Sequence, residues 1–324
     1  MSTSTATALA HPNIAFVKYW GNRDKAMRLP ENGSISMNLE ELVTRTQVTF
    51  DPNLPADIFD LNSHRQTGLA LQRVATHLNV LRGIRGIGTK AYVRSENNFP
   101  EGAGIASSAS AFAALTVAAI RALGIEMPEK DVSRLARRGS GSACRSIPTG
   151  FVEWYRGTSD IDSYAVSIAP PDFWSLTDLV VIVDEKKKAT GSSEGHELAK
   201  TSPYQAARIQ DSDKRIERCR DAIQSRDFDL LAETIEMDCN MMHAVMMTST
   251  PPLFYWNPLT LELIKTVRHW RKTGIPVAYT IDAGPNVHLI CDSAVEKDLV
   301  EKINLFSWVK QVLICHPGGH AILE

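Results

Sequence analysis

Cysteine is scarce and unorganised in this chain. Five residues, at 144, 219, 239, 291 and 315, form no Cys-x-x-Cys pair and stand at no ligand spacing from a histidine. No disulfide framework is encoded, and the odd count points to a reducing compartment. Long apolar runs are missing too, none approaching the roughly 20 residues that cross a bilayer. Met1 to Ala10 is rich in Ser, Thr and Ala but lacks basic residues and a long apolar core, so it does not read as a secretory signal. A soluble, cytoplasmic protein is the expectation. Net charge is nearly absent: 35 basic and 37 acidic side chains leave −2. That balance provides no general field for nucleic acid or an anionic membrane, so selectivity for an anion must come from a local site. The common nucleotide fingerprints are absent as well. There is no Gly-x-x-x-x-Gly-Lys-Ser/Thr, and Gly102 and Gly104 lack the third glycine of the dinucleotide motif.

What is present is an ordinary globular composition, 44% hydrophobic and 22% charged over 324 residues, long enough for two domains. In the first half, strand signals at Ile14 to Val17, Thr44 to Phe50, Ala91 to Val93 and Phe151 to Tyr155 alternate with helical ones. The helices are read around Leu71 to Leu78, from Ala111 to Leu123, and after Pro128. Pro170-Pro171 stops both helix and sheet pairing, and divides the chain into expected domains 1–175 and 176–324. Beyond it come a buried strand at Leu179 to Val183, a helical region from about Ser202 to Met247 broken near Ser225, and a helix from Leu259 to Lys272. Strands at Val277 to Ile281 and Val287 to Cys291, a helix near Val295 to Ile303 and a strand at Gln311 to Ile314 complete it. The order β, helices, β, β, α, β is that of a ferredoxin-like sandwich, in an α+β protein.

Four segments are dense in chemistry. Pro100-Glu101-Gly102-Ala103-Gly104-Ile105-Ala106-Ser107-Ser108 runs into an apolar helix, whose unpaired N–H groups and dipole favour an anion, so it reads as a phosphate cradle. The alternative is a small-residue loop that lets a helix pack closely. Asn13 to Gly21 places Lys18 among apolar and aromatic neighbours, where a buried cation needs an anionic partner. Otherwise Lys18 is a solvated group at a strand end. Gly139 to Ser146 gathers Ser140, Ser142, Ser146 and Arg145 in what reads as a flexible, donor-rich turn suited to a carboxylate or phosphate. A serine-capped turn with a surface arginine is the other reading. Tyr279 to Asn286 ends a β-run in Asp282 and a Gly-Pro turn, projecting a carboxylate from a sheet end or simply closing an Asx-turn.

Taken in order along the chain, these strings, with Gly150-Phe151-Val152-Glu153-Trp154, resemble the mevalonate diphosphate decarboxylases of the GHMP small-molecule kinase superfamily. The resemblance implies a two-domain GHMP fold, a ribosomal-protein-S5-domain-2-like unit followed by the ferredoxin-like sandwich. It implies an ATP- and Mg²⁺-dependent decarboxylation of mevalonate 5-diphosphate in a homodimer. Asp282, Lys18 and Arg145 carry the family's catalytic positions, with Asp282 at the C3 hydroxyl, Lys18 beside it and Arg145 on the substrate carboxylate. Asn13, Tyr19, Ser140, Ser142 and Ser192 fall in the substrate site. Gly102, Ala103, Gly104, Ala106, Ser107 and Ser108 fall on the ATP phosphates, Ser107 or Ser108 reaching the magnesium ion or γ-phosphate. The family's segment Lys187 to Ser193 also occurs, with a phosphate-contacting hydroxyl at Thr190, Ser192 or Ser193, whereas Lys186 and Lys187 equally suit a solvated face.

Two positions depart from that pattern. Glu101 stands where relatives often carry threonine. Asn22 stands where the diphosphate decarboxylases usually have a lysine, in Lys18-Tyr19-Trp20-Gly21-Asn22-Arg23-Asp24. Loss of a charge-assisted contact there is worth about 1.5–3 kcal/mol and predicts tolerance of, or preference for, mevalonate 5-phosphate, the substrate of a phosphomevalonate decarboxylase branch. A kinase that stops after phosphorylating the 3-hydroxyl, and a silent binding protein that kept the fold, are the rival readings. The first has no evident need for the Ser140 to Arg145 clamp, and the second predicts erosion of Lys18, Arg145 and Asp282, all of which are present.

Overall fold

A computed structural model describes residues 2–100, 107–184 and 191–324. Its first sheet has six strands in the spatial order Ile322–Leu323, Ser4–Ala10, Thr44–Phe50, Ala91–Asn97, Ile58–Leu61 and His64–Arg65. Pairing is antiparallel except between Ile58–Leu61 and Ala91–Asn97. Thr44–Phe50 alternates as its sequence does: Thr44, Thr46, Val48 and Phe50 are buried. Their face meets the helices Gly68–Arg85 and Ser107–Ala122, the second lined with Ala109, Ala113, Ala114, Ala118 and Ala119, whose small side chains let it lie close to the strands. This helix begins at Ser107 rather than at Ala111, so both serines expected in the loop stand in its first turn.

The second sheet runs Ala165–Ala169, Phe151–Trp154, Ser34–Asn38, Asn13–Val17, all antiparallel. Three of its strands, Phe151–Trp154, Ser34–Asn38 and Asn13–Val17, are buried at every residue. A sheet covered on both faces needs apolar residues throughout, and Ile14, Phe16, Val17, Ile35, Met37 and Phe151 supply them. One cover comes from beyond Pro170-Pro171: the helices Ser212–Ser225 and Phe228–Met247 contribute Cys219, Ala222, Ile223, Leu231, Ala232 and Ile235 to the same core.

The third sheet has the order Val277–Thr280, Val287–Asp292, Leu176–Ile182, Gln311–Cys315. With the helix Glu296–Asn304 before its last strand, this is the ferredoxin-like topology read from the order of elements. The helical region breaks as expected beside Ser225: Arg226 takes a left-handed φ of 55°, and the Asp227 side chain caps the next helix by accepting from the Leu230 N–H at 3.0 Å. A further break at Asp211 divides Gln205–Gln210 from Ser212–Ser225. The Ser/Thr/Ala-rich N-terminus is a strand, Ser4–Ala10, because its register places it between Thr44–Phe50 and Ile322–Leu323. All five cysteines are buried free thiols. Among the described residues no helix is long and apolar enough to cross a membrane.

One buried ionic cluster ties Phe228–Met247 to the end of Asn13–Val17. Asp238, fully buried, accepts from the Lys18 backbone N–H at 2.6 Å and from Arg215 Nε at 2.8 Å. Arg208 Nη2 donates to the Lys18 carbonyl at 2.6 Å and lies 3.6 Å from the Asp238 carboxylate. Removing one member of such a cluster leaves buried charge uncompensated. Asp238→Ala is therefore expected to cost about 3–5 kcal/mol in denaturant unfolding, far more than a surface carboxylate removal.

Candidate active site

Lys18 leaves the end of a wholly buried strand, and only 2% of it is exposed. The solvated reading of this lysine therefore falls. Its ammonium donates to Asp282 Oδ1 at 2.6 Å. Asp282 arrives from the third sheet, just past Val277–Thr280, on a turn where the Gly284 N–H donates to the Asp282 carbonyl at 2.8 Å. Asn286 anchors the far end of that turn, its side-chain oxygen accepting from the Val183 and Asp184 N–H groups at 2.8 and 3.1 Å. Burial alone would raise the Asp282 carboxyl, but Lys18, His288 and Arg145 together outweigh it and hold it below the ordinary carboxylate range.

Arg145 is also buried, 3% exposed. The segment expected to be a flexible turn is instead the end of the helix Glu129–Gly139 followed by a 3₁₀ helix, Gly141–Ser146, almost wholly buried. Rigidity follows from its hydrogen bonds, including Ser133 Oγ to the Cys144 carbonyl at 3.0 Å. Arg145 Nη1 donates to Ser34 Oγ at 2.6 Å, and Nε and Nη2 both donate to Asn13 Oδ1, at 3.2 and 3.0 Å. Asn13 in turn donates to Ser146 Oγ and the Ser142 carbonyl, at 2.8 and 3.2 Å. It thus stands behind Arg145 and orients it.

Lys18, Arg145 and Asp282 open into one cavity, ≈ 760 Å³ including the space open to solvent, with Tyr19, Arg28, Ser108, Ser140, Ser142, Ser192, Ser193 and His196 also in its wall. Two glycines make its walls possible. A Cβ on Gly141 would lie 2.5 Å from the Tyr19 ring, and one on Gly195 would lie 2.5 Å from Trp20, so the serine arm and the helix Ser192–Leu198 can close in only with glycine there. His196 stacks on Tyr19 with centroids 4.2 Å apart and accepts from the Gly21 N–H at 3.0 Å. Burial pushes the Tyr19 phenol up, Arg28 pulling against it, so it remains a neutral donor, here to Asn22 Oδ1.

Ser108 Oγ lies 3.2 Å from Ser140 Oγ and links this cavity to a second cleft. That cleft is largely apolar, lined by Phe59, Leu61, Val74, Val93, Phe112 and Leu115, with Ser107 and Ser108 also in its wall. Gly102, Ala103, Gly104 and Ala106 lie outside the described residues, as do Glu101, Thr190 and Lys186 to Lys188. Ser192 and Ser193 are placed in the cavity wall. Arg28, His196 and Met242 also line it and were not singled out from sequence. Among the described residues no three His, Cys, Asp or Glu side chains converge as a metal site. The arrangement combines an ionised carboxylate, a paired ammonium and guanidinium donors beside an apolar cleft, which suits proton transfer and charge stabilisation on a small polyanionic substrate.

Comparison with known proteins gives the same picture. Residues 10–165 match the diphosphomevalonate decarboxylase-like N-terminal domain, and residues 178–315 match the mevalonate 5-diphosphate decarboxylase C-terminal domain. The diphosphomevalonate decarboxylase of Candida albicans is 39% identical over 308 residues, covering 90% of this chain and 85% of that protein. The solved structure of MDDEF in complex with MVAPP, AMPPCP and magnesium shares 36% identity and a TM-score of 0.95, covering 100% of this chain and 99% of the other. The mevalonate diphosphate decarboxylase from Enterococcus faecalis, solved for its mevalonate diphosphate mediated ATP binding mechanism, gives 35% identity, a TM-score of 0.93 and the same coverage of both chains.

The depressed Asp282 carboxyl has a sign that can be checked. Its ion pair contributes stability that is complete above the ordinary aspartate pKa, about 3.9, and is lost as pH falls through the lower folded value. The part of the stability difference between wild type and Asp282→Asn that comes from this carboxyl's own titration is therefore expected to be lost only below about pH 4. Denaturant unfolding at each pH checks this: loss of the difference already complete at about pH 5 would contradict an ionised Asp282, whereas a step nearer neutrality reports buried His288, whose pKa Asp282 helps to raise.

Proposed function

The chain belongs to the diphosphomevalonate decarboxylase family, and from that premise we propose that it decarboxylates mevalonate 5-diphosphate at the expense of ATP. The products are isopentenyl diphosphate, ADP, phosphate and CO₂. The observation that carries this reading is the Lys18–Asp282 ion pair opening into one cavity with Arg145. A tertiary alcohol beside a carboxylate cannot readily lose CO₂, because hydroxide is a poor leaving group. Bound ATP supplies the γ-phosphoryl group that turns the C3 oxygen into a good one.

The residues divide the work by charge. Asp282 accepts or orients the C3 hydroxyl proton, which an ionised carboxylate can do. Lys18 keeps that carboxylate charged and neutralises the incoming phosphoryl group. Arg145, locked by Asn13 and Ser34, holds the substrate carboxylate in line until its C–C electron pair forms the alkene and the C3–O bond breaks. Ser140 and Ser142 offer hydroxyls along the substrate, and Tyr19 and Ser192 close the cavity. The apolar cleft fits a planar base, and Ser107 and Ser108 in its wall would hold the phosphate end and its magnesium ion, which would neutralise phosphate charge there. The described residues fit ATP in this sense. The loop residues Gly102, Ala103, Gly104 and Ala106 complete the phosphate cradle in this reading. The phosphate loop and the Ser/Arg clamp belong to a domain spanning 1–175, and Asp282 to one spanning 176–324. A cytoplasmic homodimer is the corresponding proposal for its state in the cell, testable by sedimentation and fractionation.

Asn22 favours a second reading, in which mevalonate 5-phosphate is the substrate. Its side-chain oxygen is taken by Tyr19, and it brings no charge to the site. Product analysis with ATP and each phosphorylated mevalonate decides: a higher kcat/KM on the diphosphate supports the first reading, and on the monophosphate the second. Release of CO₂ in step with ADP is expected with either, whereas a stable phosphorylated acid would mean a kinase. Asp282→Asn is expected to lower kcat by about 10² to 10⁴ with nucleotide binding retained, and near-normal turnover would remove Asp282 from its role.

A further inference from the structure

We propose that Arg28 is the substrate's phosphate anchor, the guanidinium that grips the terminal phosphate of a phosphorylated 3-hydroxy acid. The inference rests on the reaction proposed above and assigns a residue for its diphosphate end.

The charges of the cavity lead to it. Three cationic side chains line the catalytic cavity among the described residues, Lys18, Arg28 and Arg145. Lys18 is matched by Asp282 at 2.6 Å. Among the described residues neither Arg145 nor Arg28 pairs with a carboxylate, and their hydrogen bonds go to neutral oxygens. A phosphorylated 3-hydroxy acid is anionic at both ends, with a carboxylate at one and phosphate at the other. Arg145 lies deep, beside Lys18 and Asp282, where the carboxylate must sit for the C–C bond to break next to the C3 oxygen. Arg28 remains for the other end.

Its placement is built. The strands Asn22–Asp24 and Leu29–Pro30 form a small antiparallel hairpin in which Asn22 faces Pro30. Arg28 stands just before the second strand with a left-handed φ of 51°, unusual for a residue with a Cβ. Its Nε donates to the Arg138 carbonyl at 3.1 Å, in the last turn of the helix Glu129–Gly139, where the helix dipole favours a cation. That bond fixes the stem and leaves both terminal nitrogens of the fork for a bidentate phosphate contact. Behind it, Arg28 also lines a second recess with Arg73, His77 and Arg138, whose described lining contains no acid. Among the described residues the one carboxylate in either wall, Asp282, is taken by Lys18, so the Arg28 guanidinium is not neutralised from either side. The charge that position 22 lacks is delivered from the turn of the same hairpin, just before the opposite strand, and as a planar fork.

The test is a comparison of wild type, Arg28→Met and Arg28→Lys on both phosphorylated mevalonates. Arg28→Met is expected to lower kcat/KM on the diphosphate by about tenfold to a hundredfold, mainly through KM, with a smaller loss on the monophosphate and the KM for ATP unchanged. Arg28→Lys is expected to recover part of the loss. An unchanged KM for the diphosphate, or an equal loss on both substrates, would overturn the proposal. Titration calorimetry with inorganic pyrophosphate separates this from the reaction itself: binding weakened by Arg28→Met supports the anchor even if neither mevalonate is turned over, and binding unaffected by Arg28→Met refutes it.

Discussion

The ion pair between Lys18 and Asp282 is the contact on which the rest of the site depends, because its partners come from different sheets and far apart in sequence. A single helix sets the distance between them. From Phe228–Met247, Asp238 holds the Lys18 backbone N–H, while Cys239 Sγ and His243 Nε2 contact the carbonyl of Ile281, the residue before Asp282, at 3.7 and 3.2 Å. Met242 of the same helix lines the cavity. The helix thus acts as a ruler between the two charged groups. Its own position is fixed by the apolar core it shares with the second sheet.

Burial makes this geometry chemically useful. In a low-dielectric wall an unpaired carboxylate would lose its charge, but paired with the Lys18 ammonium at 2.6 Å Asp282 stays ionised. The same arrangement recurs around Arg145, whose donors are satisfied by neutral oxygens of Asn13 and Ser34, so its positive charge is left for a substrate. Preorganised charge of this kind needs little rearrangement when phosphate arrives, and that is where most acceleration in phosphoryl transfer comes from.

Much of this was legible in the sequence because the informative residues lie in short runs. Lys18, Arg145 and Asp282 each sit within a distinctive string, and the order of strands and helices after Pro170 spelled out the ferredoxin-like topology. Residues that act through long-range placement were not legible. Ser4–Ala10 reads as a simple polar stretch until its neighbours in the sheet are known. Asp238, Arg208 and Arg215 look like ordinary helix charges, and only folding brings them to the Lys18 backbone. Arg28 carries no motif at all, because its significance depends on the hairpin that turns it toward the cavity. The Gly139 to Ser146 segment reads as a flexible turn but is packed as a helix end and a 3₁₀ helix, since a run of small polar residues looks the same whether solvated or packed.

The five cysteines give the molecule a built-in gauge of opening. Burial pushes every one of their thiols up, Cys144 and Cys239 to about 12, so almost no thiolate exists in the folded protein at neutral pH. Two lie in strands of the third sheet, two in the helices Ser212–Ser225 and Phe228–Met247, and one in the 3₁₀ helix Gly141–Ser146. Alkylation of a given cysteine therefore measures how often its own neighbourhood comes apart, and the order in which the five react would map local stability without any label being introduced.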